Sequence, residues 1–217
     1  MNTAKLIHDT ILFVKQTLAD AEGGHDWFHI ERVYKNALLI AKSESCDTLV
    51  VQLGALLHDI ADSKFHGGDE TIGPRTARNF LVSQHVAEEV IVHVVQIIEN
   101  ISFKGGKTKR KFSSIELDIV QDADRLDAIG AIGIARAFNY GGFKNRALYN
   151  PKVAPNLKMT KEEYKNSQAP TINHFYEKLL LLADKMNTKT GAAIAIKRHR
   201  YMENFLSQFY AEWEGEI

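Results

Sequence analysis

Histidine and aspartate stand side by side three times in this chain, at His8-Asp9, His25-Asp26 and His58-Asp59. A neutral imidazole beside a carboxylate is a donor pair suited to a divalent first-row cation, which acidifies water and withdraws charge from a phosphoryl oxygen. The three settings differ. His8-Asp9 lies among polar neighbours near the start of a helical pattern, and Asp26 has a ready use as a helix N-cap. Only His58-Asp59 ends a strongly apolar run, where burying both groups is costly unless an ion or a hydrogen bond satisfies them. By itself that pair fits a metal site and a hydrogen-bonded helix end equally well.

His29 shares a helical stripe with Val33, Ala37 and Ile40 and so points inward, as a ligand or as a satisfied core histidine. Further along, Asp122, Asp124 and Asp127 fall within two turns of one helix. Asp124 and Asp127 share a face with Val120, Ala128 and Ala131, which makes them the inward candidates and turns Asp122 and Arg125 aside. Solvated helix charges are the other reading of these carboxylates.

The elements that must position these groups are helical throughout, because apolar residues recur at helical spacing and sustained alternation is absent. A first helix carries Ile7, Ile11, Val14 and Leu18 and stops at Gly23-Gly24, and a second starts behind Asp26. Asp47 caps a third that ends at His58-Asp59, within which Gly54 admits a close neighbour. After the polar loop 62–73, Pro74 opens a fourth helix reaching Phe80-Leu81, and a fifth spans 86–99. Ser113 and Glu116 have capping-box spacing ahead of a sixth that runs to Phe138. Residues 139–157 lack periodicity and form a candidate lid, followed by helices over 161–167, 171–186 and 190–211. The fold class is all-α, a single domain over 1–217, with a metal-binding core at about 20–140 and the C-terminal helices 160–213 packed on it.

The order His29, His58-Asp59, Asp124 resembles the H…HD…D signature of the HD superfamily of metal-dependent phosphohydrolases. HDWFHIERV, LLHDIADSKFHGGDE, ISFKGG, VQDADRLDAIGAIGIARAF and INHFYEKLL extend the likeness to small bacterial HD hydrolases over nearly the whole chain. The resemblance implies a helical bundle with one divalent ion on His29, His58, Asp59 and Asp124. It also implies open positions for water and phosphate. The mixed nitrogen and oxygen donors suit Mn²⁺ first, with Mg²⁺, Co²⁺, Ni²⁺ and Fe²⁺ as alternatives. The additional histidines of two-metal members have no clear counterpart, though His66 and His93 leave that arrangement open.

Asp62, three residues past Asp59, could hold the attacking water or pass a proton, and the superfamily often has an acidic residue there. Lys64 could neutralise phosphate charge, and Asp127 could orient a ligating imidazole or a sugar hydroxyl. Lys104, Lys107, Lys144 and Arg146 are cations on segments without periodicity, and His174 and Lys178 stand one turn apart on a late helix. These six are candidate substrate contacts. The branch resembled hydrolyses deoxynucleoside triphosphates to monophosphate and pyrophosphate by metal-hydroxide attack. The same donors would serve a nucleoside monophosphate phosphatase or an alarmone hydrolase, and a non-catalytic nucleotide-sensing module is the alternative of another class.

Composition narrows the partners. Lys plus Arg equals Asp plus Glu at 27 each, so no global charge draws the chain to nucleic acid or an anionic membrane. No apolar run spans a bilayer, no GxxxxGK[ST] or GxGxxG phosphate loop is present, and the N-terminus lacks a secretory h-region. A cytoplasmic protein acting on a small nucleotide is expected, and its apolar helices could pair in a homodimer. The lone Cys46 fits a reducing compartment and reads as a small residue near a helix start.

Overall fold

In a computed structural model, residues 2–19, 21, 26–61, 69–101 and 112–217 are described. All regular structure among them is helical, as the periodicity requires. The chain forms two compact units, Met1–Asp124 and Arg125–Ile217.

The first unit is built around an apolar helix. Helices α1 (Thr3–Thr17), α2 (Trp27–Ala41) and α3 (Thr48–Leu57) precede α4 (Ile72–Ser83), α5 (Glu88–Ile101) and α6 (Ile115–Asp127), whose last turn passes into the second unit. The expected caps form: Asp26 accepts from His29 N at 3.0 Å, and Asp47 accepts from Leu49 N at 2.9 Å and Val50 N at 3.2 Å. Seven of the residues of α3 are buried, as in a helix packed on all sides, here by α1, α2 and α5. Gly54 allows this closeness, since a β-carbon there would lie 3.2 Å from Ile97 Cδ1 and 3.4 Å from Val120 Cγ2.

Several boundaries differ from the sequence expectation. Ser114, rather than Ser113, caps α6 by accepting from Leu117 N at 3.1 Å, which frees Glu116 to accept from Asp47 N at 2.9 Å. Pro74 sits in the first turn of α4 but two residues after its start. The sixth helix is two helices, because the chain turns at Gly130 (φ +75°) and restarts as α7 (Gly130–Phe143). Two guanidinium groups help close the end of α6: Arg198 donates to the Leu126 carbonyl at 2.5 Å and Arg136 to the Asp127 carbonyl at 3.2 Å.

In the second unit α7 packs on α9 (Thr171–Glu177) and α10 (Lys189–Glu214), with α8 (Lys161–Asn166) ahead of them. The expected helix over 171–186 breaks at Lys178 (φ −144°) and continues as a 3-10 segment, Leu179–Lys185. Phe138, Phe175 and Phe205 form the core, with ring centroids 5.9 to 6.0 Å apart. The candidate lid begins later than expected, because α7 continues to Phe143. Beyond α7 the chain is fastened: Thr171 N and Ile172 N donate to the carbonyls of Ala147 and Leu148 at 2.9 and 3.0 Å, and the Tyr149 ring lies 5.1 Å from that of Trp213.

Gly141 marks the tightest approach of α7 to α9. A β-carbon there would fall 2.1 Å from Thr171 Oγ1. Alanine gains about 1 kcal/mol of helix propensity, but overpacking a close contact costs about 1 to 3 kcal/mol and should dominate here. Gly141→Ala should therefore lower stability by about 2 kcal/mol in urea unfolding, and adding Thr171→Ala should restore most of it. A single variant as stable as the parent would refute the contact.

Candidate metal centre

Two imidazoles and two carboxylates meet in the first unit. His29 stands in the first turn of α2 with its side chain 3% exposed, and His58 follows the last residue of α3 with its side chain 5% exposed. Ligand atoms of His29, His58 and Asp59 all lie within 4.8 Å of one another. From α6, Asp124 Oδ1 reaches to 3.6 Å from His29 Nε2 and 3.9 Å from His58 Nε2.

The local chain explains the geometry. His58 Nδ1 lies 2.9 Å from the carbonyl oxygen of Ala55, one turn back along α3. A carbonyl only accepts, so Nδ1 carries the proton and Nε2 keeps the lone pair a cation needs. The two rings meet edge to face, with centroids 5.4 Å apart. A six-coordinate ion at about 2.1 Å from its donors spaces neighbouring donors by about 3 Å and opposite ones by about 4.2 Å. The separations here are of that order, and the donor set contains no thiolate, so the residues fit a catalytic divalent ion rather than a closed zinc site.

The other His-Asp pairs serve elsewhere. Asp9 pairs with Lys5 at 2.5 Å and His8 is exposed, while Asp26 is the cap of α2 and His25 lies outside the described residues. His93 Nε2 lies 2.9 Å from Ser114 Oγ and 3.4 Å from Glu116 Oε2, tying α5 to the start of α6, and His66 is not among the described residues. Cys46 borders Asp47, and burial, with the carboxylates of Glu116, Asp47 and Glu44, pushes its thiol pKa up. That suits a structural residue rather than a nucleophile.

The acidic run on α6 needs a correction. Asp127 is buried as expected, 2.5 Å from Arg136 Nη1, but Asp122 is fully buried too and the Asp124 side chain is 41% exposed. A single inward stripe does not describe α6, because residues around most of its circumference are covered. Asp62, Lys64, Lys104 and Lys107 lie outside the described residues.

The remaining candidates belong to the second unit. Lys144 is exposed, its ammonium 4.9 Å from the Phe143 ring centroid. Arg146 donates to the Ser167 carbonyl at 2.6 Å and lies over Tyr140, its Cζ 5.5 Å from the ring centroid. His174 Nδ1 lies 2.6 Å from Tyr164 Oη, and Lys178 Nζ is 5.9 Å from the Tyr164 ring. Burial first, then the charges of Lys178 and Arg146, lower the His174 pKa to about 3, so its ring is neutral. Arg146, His174 and Lys178 thus gather about Tyr164, which the sequence pattern did not single out. The only sequence cue nearby is the capping box Thr160-x-x-Glu163 that starts α8.

Known proteins match the span of chain that holds these residues and most of the chain beyond it. The HD domain profile covers residues 27–129, a span containing all four donors. The Bacillus subtilis protein YpgQ is 37% identical over 206 residues, 94% of this chain and 91% of its own length. Its crystal structure in complex with ADP aligns with a TM-score of 0.78 at 34% identity, covering 98% of this chain and 97% of that one. An HD-superfamily hydrolase from Bacillus thuringiensis aligns with a TM-score of 0.79 at 43% identity, covering 98% and 99%. Likeness on that scale extends well past the histidines and aspartates that first suggested it, and it makes this chain a member of the HD superfamily of hydrolases.

Proposed function

We propose that the protein is a metal-dependent phosphohydrolase that cleaves nucleoside triphosphates, deoxynucleoside triphosphates first among them, to monophosphate and pyrophosphate. The observation that carries this is the convergence of His29, His58, Asp59 and Asp124 at a spacing suited to one divalent ion. The ADP bound to YpgQ supports a nucleotide as the ligand class. Mn²⁺ is the favoured ion, with Mg²⁺, Co²⁺, Ni²⁺ and Fe²⁺ as alternatives.

When bound, such an ion supplies Lewis acidity to a phosphoryl oxygen and lowers the pKa of water. The chain's own groups do the rest. His58 is held in register by the Ala55 carbonyl, and the neutral imidazoles leave the carboxylates of Asp59 and Asp124 to balance the cation. The part-exposed Asp124 keeps one side of the cluster accessible to solvent and substrate. Asp62 is assigned to holding water or passing the proton, and Lys64 with Lys104 and Lys107 to balancing phosphate charge.

Metal-depleted protein incubated with a nucleotide panel and Mn²⁺, Mg²⁺ or Co²⁺ tests the reading. Pyrophosphate and monophosphate in equal amounts are the expected products. Inorganic phosphate from monophosphates would replace the proposed reaction with a phosphatase, and no metal-dependent turnover would replace it with a nucleotide-sensing module.

A further inference from the structure

Within the second unit, the segment that follows α7 encloses with α9 and α10 a cavity of about 350 Å³. That volume lies at the lower end of the range of about 300 to 1,000 Å³ typical of small-molecule sites. Three phenols and a carboxamide line it, from Tyr149, Tyr176, Tyr210 and Asn173. No lining residue is charged, and Lys152 lies in the same segment but not on the lining. An anionic ligand would meet no cation there to pair with it.

The walls are held in place before any ligand enters. Asn173 and Tyr176 stand one turn apart on α9. The 1% exposed Asn173 donates from Nδ2 to the Val153 carbonyl at 3.0 Å, and Asn156 N donates to Glu177 Oε1 at 3.0 Å, so the segment is fastened to α9 at two points. Val153 N donates to the Asn150 carbonyl at 3.0 Å and closes a turn over Pro151. Tyr149 meets Tyr210 and Trp213 edge to face, with ring centroids 5.3 and 5.1 Å apart. Such walls lose little freedom when a ligand binds.

Polar groups on the lining remain open to a ligand. Tyr210 donates to Tyr176 Oη at 3.1 Å, which leaves the Tyr176 proton without an acceptor among the described residues. Burial first, then that hydrogen bond, pushes the Tyr210 pKa up, so its hydroxyl stays neutral. Oδ1 of Asn173 and its second Nδ2 proton likewise have no partner among the described residues. A carboxamide that offers an N–H beside an acceptor matches the N7 and 6-amino edge of adenine, and phenol rings stack on a flat base.

We propose that this cavity binds a neutral adenine ring, with Asn173 reading the 6-amino group and N7 and with the phenols of Tyr149, Tyr176 and Tyr210 enclosing the ring. The site needs neither a metal ion nor turnover, so it stands or falls apart from the hydrolase reading above.

Methyl-labelled, metal-depleted full-length protein titrated with adenosine should show saturable shifts of the Val153 and Ala154 methyl resonances. Purine riboside, the same nucleoside without the 6-amino group, should bind about tenfold more weakly, as for one lost hydrogen bond. Ala154→Trp, which sets an indole on the exposed rim of the cavity, should abolish the shift at Val153 while circular dichroism stays that of the parent. The inference is overturned by any of three results: no methyl shift at millimolar adenosine, equal affinity for purine riboside, or unchanged binding by a folded Ala154→Trp protein. Adenosine binding of the expected kind in a protein that hydrolyses no nucleotide would leave the site standing and remove the proposed function, and hydrolysis without such binding would do the reverse.

Discussion

Asp59→Ala should abolish metal-dependent phosphohydrolase activity, lowering kcat/KM by at least about a thousandfold, because a divalent ion held by this cluster would lose an anionic ligand and with it the capacity to acidify water and polarise a phosphoryl oxygen. The remaining candidate donors are the two imidazoles and Asp124, whose side chain is 41% exposed and so screened by solvent. Calorimetry of metal-depleted protein should show Mn²⁺ binding by the parent and binding weaker by at least about a hundredfold in the variant. Circular dichroism should remain that of the parent. Full turnover by a folded Asp59→Ala protein would place the chemistry elsewhere. Loss of turnover with undiminished Mn²⁺ affinity would instead give Asp59 a role toward substrate.

The largest effect on stability is expected at Phe175. The residue is fully buried on α9, and its ring lies 6.0 Å from Phe138 and 5.9 Å from Phe205. It therefore helps join α7, α9 and α10. Phe175→Ala removes most of that ring's burial and leaves a cavity that three helices cannot readily close, at a cost of about 4 kcal/mol. Phe175→Leu retains much of the volume and should cost about 1 to 2 kcal/mol. Urea unfolding followed by circular dichroism separates these values. A loss below about 1 kcal/mol for alanine would mean that this unit's core lies elsewhere. With two compact units, a second transition can appear in the variant, and the fit should allow for it.

His29 and the His58-Asp59 pair were readable as candidate donors because local rules place them, whereas Asp124 was singled out by the resemblance to the HD superfamily. The Asp26 cap and the stripe Ile30, Val33, Ala37 and Ile40 set the phase of α2 and turn His29 inward. The Asp47 cap and the apolar run behind it carry α3 to its end at His58-Asp59. Helical period and capping act over a few residues, so they survive in a single sequence. The same is true of the all-helical class and of the small residue at Gly54. What local pattern could not resolve was the choice among Asp122, Asp124 and Asp127, since α6 is covered around most of its surface and no one stripe marks its function.

The break at Gly130 shows the other limit. Apolar spacing continues across it, but the left-handed backbone there and the carbonyls met by Arg136 and Arg198 end α6 well before the periodicity fades. Likewise, Tyr164 and His174 lie on separate helices, and only their packing brings a phenol to an imidazole. By itself the sequence determined the helical class and the main caps, which follow from neighbours one turn apart, and it offered the set of four candidate donors only through the resemblance that the order His29, His58-Asp59, Asp124 carries. Tertiary structure alone decided which carboxylates are buried, where α6 stops and that Tyr164 meets His174, because those outcomes depend on groups distant along the chain competing for the same space and the same hydrogen bonds.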